Sequence, residues 1–234
     1  MTVNTICAHR NLVFVKKSQS NRIAYFGPAG TFTEQALLTQ KDLAECELVA
    51  FRTVPDVLDA VASGEVDHGF VPIENSIEGT VNFTQDALVF DYELLIQREI
   101  VLDIEHCLLA RKGVSTTDLM GILSIPVATA QCHNFLRKNF AELDIRAANS
   151  TAEAAQLVAA NTNEKLAAIA PKNAAKVYGL EVIATDIADH QGNQTRFVLI
   201  GKGTVPSATG HDKTAIAVFQ RADEPGSLIS ILQE

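Results

Sequence analysis

The residues of this chain that could do chemistry are uncharged hydrogen-bonding side chains set at the ends of apolar runs. The clearest case follows Gly69, Phe70 and Val71, where Pro72 and Ile73 give way to Glu74, Asn75 and Ser76, and apolar character returns at Ile77 and Val81. Pro72 cannot donate a ladder hydrogen bond, so the strand is expected to stop there and to leave the acid, the amide and the hydroxyl at its exit. Polar side chains at the exits of strands in an open α/β sheet are placed to meet a ligand. The same design recurs at Thr31 and Thr33 after Gly27, Pro28, Ala29 and Gly30, at Ser124 and Gln131 around Pro126, at Ser150 and Thr151, and at Thr195 before Arg196 and Phe197. Such groups bind by hydrogen bonding and can help a poor leaving group depart.

Each of these positions also has a purely structural account. Thr31 or Thr33 can be an N-cap, and Ser150 with Glu153 has the spacing of a capping box. Thr195 has the β-branched shape that strands favour. Helix starts at Thr31, Ser124 and Ser150 would offer unpaired N–H groups and a favourable dipole end to an anion. The turn at Gly27 lacks the Lys-Ser/Thr of a P-loop and the third glycine of a dinucleotide fingerprint, so the anion expected there is not a nucleotide phosphate. Lys172 and Lys176 are read as a solvated face.

The elements that must hold these groups alternate in type. Strands are expected at Arg22 to Phe26, Leu48 to Arg52, Val66 to Val71, Leu94 to Val101, Ile104 to Ala110, Ala167 to Ala170 and Thr195 to Gly201. Helical spacing follows Val54, and helices are expected over Thr80 to Phe90, after Pro126, after Ser150, and from Pro171 to Gly179. Strands alternating with helices point to α/β architecture with parallel sheets and crossovers. Residues 1–21 show little periodicity and no turn-bounded element and are read as a loose tail or an extended start.

The balance of 19 Lys and Arg against 28 Asp and Glu, with a formal net charge of -9, repels phosphates and anionic membranes, so neither nucleic acid nor membrane is an expected partner. No apolar run approaches the roughly 18 residues that span a bilayer, and Leu12 to Val15 is too short for a signal-peptide core, so a cytoplasmic location is expected. Cys7, Cys46, Cys107 and Cys132 fall at irregular spacings without metal-ligand partners, so neither metal nor cofactor is expected. Cys132 and His133 diverge on a helix, and His106 and Cys107 point to opposite faces of a strand, so no nucleophile-base pair is expected from either.

Taken in order, Gly27 to Thr33, Val71 to Ser76 with Gly79, Gln131 with Cys132, and Thr195-Arg196-Phe197 resemble the motifs of prephenate dehydratase, over Arg22 to about Gly203. The resemblance implies a two-lobed α/β fold similar to type 2 periplasmic binding proteins, with lobe one at 22–97 and 182–203 and lobe two at 98–181. It also implies conversion of prephenate to phenylpyruvate, with loss of carbon dioxide and water, in phenylalanine biosynthesis. Thr195 would assist the departing hydroxyl. Asn75, Ser76, Ser124 and Gln131, with Thr31, Thr33, Ser150 and Thr151, would contact substrate. Glu74 would orient substrate or serve structure, and Arg196 and Phe197 would fasten the strand. The chain departs from the pattern at Ile125 and Val127, where the family carries His and Gln, which implies a more apolar cleft wall.

After a linker at 204–212, the alternating run from Lys213 to Phe219 and the Pro225-Gly226 helix start resemble the beginning of an ACT domain. Residues 213–234 are too few for a whole one, so an incomplete α+β sensor is expected, without feedback inhibition by phenylalanine, which needs an intact ACT domain. The family resemblance also implies a homo-oligomer. Two other functions are compatible with the sequence: arogenate dehydratase, and a non-catalytic two-lobed binder of small molecules.

Overall fold

The structure, a computed structural model, describes residues 4–8, 21–205, 207–208, 210–218, 225–226, 229–230 and 233. Its strands are β1 (Asn4–Ala8), β2 (Arg22–Phe26), β3 (Glu47–Phe51), β4 (His68–Asn75), β5 (Gly79–Thr80), β6 (Leu95–Asp103), β7 (Cys107–Ala110), β8 (Gly121–Ser124), β9 (Asp144–Ala147), β10 (Leu166–Ala170), β11 (Glu181–Ala184), β12 (Gln194–Gly201) and β13 (Lys213–Ala217). The α-helices are α1 (Phe32–Leu38), α2 (Lys41–Ala44), α3 (Val54–Ser63), α4 (Asn82–Asp86), α5 (Pro126–Gln131), α6 (His133–Phe140), α7 (Thr151–Ala160) and α8 (Lys172–Tyr178).

Two sheets make two α/β lobes. The first sheet has the order β3-β2-β4-β12-β6, with β5 paired to β4, and the second has the order β11-β7-β10-β8-β9. Both are mixed rather than wholly parallel: β2 runs parallel to β3 and β4, while β12 is antiparallel to β4 and β6. In the second sheet β8, β9 and β10 are parallel neighbours, and β7 is antiparallel to β10 and β11. The lobe boundaries expected at 97 and 182 shift accordingly. β6 continues to Asp103 in the first sheet because its far end pairs with Thr195 and Gln194 of β12. β11 stays in the second sheet because it pairs with Leu108 to Ala110 of β7. The chain therefore crosses between lobes at residues 104–106 and returns at residues 185–193.

Local chemistry explains the helix ends. Thr53 caps α3 by accepting the Asp56 N–H, Pro55 sits in its first turn, and Gly64 ends it in the left-handed conformation. The expected helix from Thr80 begins later, at Asn82, because Gly79 and Thr80 pair with β4, and it continues as a π-helical turn at Ala87–Asp91. The first lobe buries one cluster between α3 and the sheet, including Val57, Leu58, Val61, Val71 and Ile200. A second cluster under α1 holds Phe70 and Phe197, whose rings stack at 5.4 Å. Cys107 and Cys132 are buried free thiols of the second lobe.

Where the sequence suggests a loose or extended start, Asn4–Ala8 form β1, antiparallel to β13. Residues 1–3 and 9–20 lie outside the described residues, as does much of the helix expected after Pro225.

Gly69 lies where α3 presses against the sheet. A Cβ there would stand 2.9 Å from Val57 Cγ1 and Val61 Cγ2 and 3.0 Å from Ile200 Cγ1. Overpacking of this kind costs about 1–3 kcal/mol. Gly69→Ala is expected to lower the urea midpoint by a corresponding amount with an unchanged slope, measured by equilibrium unfolding.

Candidate active site

β4 and β12 are neighbours in register, with Thr195 opposite Asn75 and Arg196 opposite Glu74. Successive strand residues face opposite sides of a sheet, so this register assigns amide and hydroxyl to one face and acid and guanidinium to the other. On the first face Asn75 Oδ1 accepts the N–H groups of Ile77 and Glu78, each at 2.9 Å. That double acceptance orients the amide, because only an oxygen can take two backbone donors. Its nitrogen donates to Thr195 Oγ1 at 2.9 Å and to Asn193 Oδ1 at 2.7 Å. The Thr195 oxygen is therefore an acceptor toward Asn75, and its own proton has no acceptor among the described residues.

The network continues into the second lobe. Asn193 Nδ2 donates to Gln131 Oε1 at 3.1 Å, and His106 Nε2 lies 2.9 Å from the same oxygen. With Gln131 Oε1 as acceptor, His106 Nε2 must carry the proton, and its buried Nδ1 has no partner among the described residues. Gln131 Nε2 donates to Glu78 Oε1 at 2.9 Å. Phe32 meets the His106 ring edge-on at 5.5 Å. Gln131 ends α5, Asn193 precedes β12, and His106 stands just before β7, so the network sits where the two connecting stretches cross between the lobes. Those stretches are tied to each other by Ile104 N–H to Asn193 O and by Ile187 N–H to His106 O.

A second bridge joins α8 to the loop before α1. The Tyr178 hydroxyl donates to Ala29 O at 2.6 Å, and Asn173 Nδ2 donates to Thr31 O at 3.4 Å. Gly30, at φ +85°, makes this approach possible, since a Cβ there would meet Tyr178 at 3.0 Å.

The opposite face of β12 is ionic. Arg196 pairs with Glu74 and with Glu99, and Lys213 Nζ lies 2.6 Å from Glu99. Burial pushes the Glu99 carboxyl up, but the hydrogen bonds and charges of Lys213 and Arg196 hold it below the ordinary glutamate range. Glu74, read from the sequence as a possible substrate contact, has its carboxylate engaged by Arg196 on this face. Phe197 is buried against Phe70.

The remaining sequence candidates are dispersed. Ser76 sits beside the network, but its hydroxyl accepts the Gln194 N–H and donates to Gly192 O. Ser124 is not a helix start: Pro126 sets the first turn of α5, the cap falls on Ile125, and the buried Ser124 hydroxyl donates to Ile169 O at 2.8 Å. Thr31 caps α1 through the Glu34 N–H, while the Glu34 carboxylate accepts the Gly30 N–H at 2.6 Å. Ser150 caps α7 through the Glu153 N–H, and the Glu153 carboxylate accepts the Asn149 N–H at 2.5 Å. Two of the three helix starts expected to receive an anion, those of α1 and α7, thus already carry one of the chain's own carboxylates. Thr33 and Thr151 are buried within the first turns of these helices. Val127 is exposed, and Ile125 packs on the core of the second lobe.

His106, Asn193 and Glu78 were not singled out by sequence reasoning. Asn193 lies in a polar loop immediately before Thr195, which is the one signal that could have marked it. A cavity of about 150 Å³ beside the two connecting stretches is lined by Asp103, Glu105, Asp186, His190 and Asn193, among others. Asn75, Gln131 and Thr195 do not line it, and its carboxylates would repel an anionic substrate.

Comparison with known proteins gives this geometry its context. The family model for prephenate dehydratase matches residues 23–205. The chain belongs to the prephenate dehydratase family. A prephenate dehydratase of Mycolicibacterium vanbaalenii is 39% identical, over 91% of this chain and 72% of that protein. The crystal structure of the Arthrobacter aurescens prephenate dehydratase, in complex with L-Phe, superposes with a TM-score of 0.80 at 35% identity, covering 91% of this chain and 71% of that one. A structure described as a quorum-quenching acylase also matches, with a TM-score of 0.69 at 27% identity over 80% of this chain and 67% of that one. The fold therefore admits more than one activity, and the chemistry has to be argued from the site.

Burial drives the His106 pKa below its ordinary 6.5, the bond to Gln131 opposing this only in part. A histidine whose folded pKa is depressed contributes stability that is complete above the unfolded value and is lost as pH falls through the folded one. The stability difference between the parent and His106→Gln should therefore shrink as pH is lowered from above 6.5 to below it, measured by urea midpoints; a widening difference would show that folded His106 gains protons instead.

Proposed function

We propose that the protein converts prephenate to phenylpyruvate, the decarboxylating dehydration of L-phenylalanine biosynthesis, at the Asn75-Thr195-Gln131 network. The observation that carries this reading is the directed hydrogen bond from Asn75 Nδ2 to Thr195 Oγ1, which leaves the threonine proton as the group free to donate.

In the reaction the bond from the ring to its carboxylate breaks, and its electron pair enters the ring. The carbon-oxygen bond on the far side of the ring breaks, and the departing oxygen takes a proton and leaves as water. Aromatisation drives these changes, so the protein has to hold a dianion in place and ease the departure of hydroxide. Thr195 is a weak acid, and hydrogen-bond donation to the departing oxygen is worth ~10²- to 10⁴-fold. Accepting from Asn75 polarises the threonine hydroxyl and makes it a better donor. Holding the ring against Thr195 contributes through orientation. Gln131 Nε2 supplies an uncharged donor for a carboxylate of the substrate.

Phenylalanine is proposed as an effector only where the ACT module is whole, in keeping with the L-Phe complex of the Arthrobacter aurescens protein. A homo-oligomer is proposed on the same family ground. Among the described residues no helix is long and apolar enough to cross a membrane.

The test is phenylpyruvate formation by the purified protein, with uncatalysed acid conversion subtracted. Thr195→Ala is expected to lower kcat at least about 10²-fold while still binding prephenate, and Thr195→Ser to retain part of the rate. Turnover unchanged in Thr195→Ala would remove the threonine from the mechanism, and binding without turnover in the parent would favour a binding protein. Competition between prephenate and arogenate reads the substrate preference.

A further inference from the structure

Glu78 lies on the exposed turn between β4 and β5, with its N–H fixed to Asn75 Oδ1 at 2.9 Å. Its carboxylate reaches across to the second lobe and accepts Gln131 Nε2 at 2.9 Å. The Gln131 side chain cannot turn to offer its other end, since its oxygen already accepts from Asn193 and His106. An exposed carboxylate thus rests on a largely buried and rigidly oriented amide donor, the chemistry a carboxylate of the substrate would present.

We propose that Glu78 occupies the Gln131 donor in the ligand-free protein as an internal stand-in for a substrate carboxylate, and that substrate displaces it on binding. This rests on the reading of Gln131 as a substrate donor. Displacement leaves the Glu78 carboxylate in water, where its charge is solvated at little cost, and leaves Gln131 bonded to the incoming carboxylate. The contact is a toll on affinity for two reasons. One charge-assisted hydrogen bond is exchanged for another instead of being gained, and the displaced carboxylate remains close enough to a dianion to repel it. Glu78 is thus a specificity-determining residue: it disfavours anionic ligands that cannot compete for Gln131.

Two measurements separate this from a merely structural role. Prephenate KM is measured for Glu78→Ala and Glu78→Gln, and prephenate binding is measured by calorimetry with the same changes placed in Thr195→Ala, where turnover does not interfere. Glu78→Ala is expected to tighten binding about three- to tenfold and to lower KM in step, the range in which one modest hydrogen bond shifts affinity. Glu78→Gln, which keeps the shape and a weaker acceptor, is expected to gain less. In a Gln131→Leu background the gain from Glu78→Ala should shrink, because the donor at issue has gone. Weaker or unchanged binding in Glu78→Ala, or a gain of the same size without Gln131, would overturn the proposal. A parent that binds prephenate but forms no phenylpyruvate would overturn the reaction and leave this contact to be judged by the binding measurements. A parent that does not bind prephenate would overturn both.

Discussion

Asn75 has one amide oxygen, and the tight turn that follows it presents two backbone N–H groups to that oxygen. Everything else in the site takes its direction from this constraint. The nitrogen must point back across the sheet, Thr195 must accept from it, and Asn193 must present its own oxygen to Asn75 and its nitrogen to Gln131. Because Thr195, Asn193 and Gln131 are buried, a single reversed amide would leave donors facing donors, at about 1–3 kcal/mol for each buried group left unsatisfied. The result is a polar network with one favourable arrangement, in which the Thr195 oxygen accepts from Asn75 and its proton is left for another acceptor. Such a device suits a reaction driven by aromatisation, where the catalyst needs position and a hydrogen bond rather than a strong acid.

The constraint holds only if β12 lies beside β4 in the right register, although Asn75 and Thr195 are 120 residues apart. The whole second lobe is inserted between them. What locates β12 is its other face and its apolar run: Phe197 on Phe70, Arg196 between Glu74 and Glu99, and antiparallel pairing on both sides with β4 and β6. Lys213, on β13, reaches the same Glu99, so the segment after the catalytic domain is fastened to the strand that bears Thr195 through one shared carboxylate.

Residue types and their order reveal which stretches matter, because an apolar run ending in Asn-Ser or beginning at Thr-Arg-Phe stands out without any knowledge of partners. Pairing between distant stretches does not. His106 illustrates the difference. Considered only against its neighbour Cys107 it is a histidine on the wrong side of a strand, and its value comes from Gln131, which no spacing rule connects to it. Ser124 shows the converse error. A serine shortly before a proline reads as a helix cap, yet Pro126 needs only the residue before it at the cap, and that residue is Ile125. The mixed sheets escaped for a similar reason: alternation of strand and helix implies parallel pairing, but β12 arrives from the other lobe and enters its sheet antiparallel. Glu153 was legible as the partner of Ser150 in a capping box, but Glu34, which returns to the Gly30 N–H in the same way, was not singled out.

The alternation along β12 has an evolutionary consequence. Thr195 and Arg196 serve opposite faces, so inserting or deleting one residue between them and the anchored run from Phe197 to Ile200, without a compensating bulge, would exchange their sides. A guanidinium would then stand among the amides and a threonine between two acids. Substitutions in this strand can be sampled one at a time, but changes of length within it cannot.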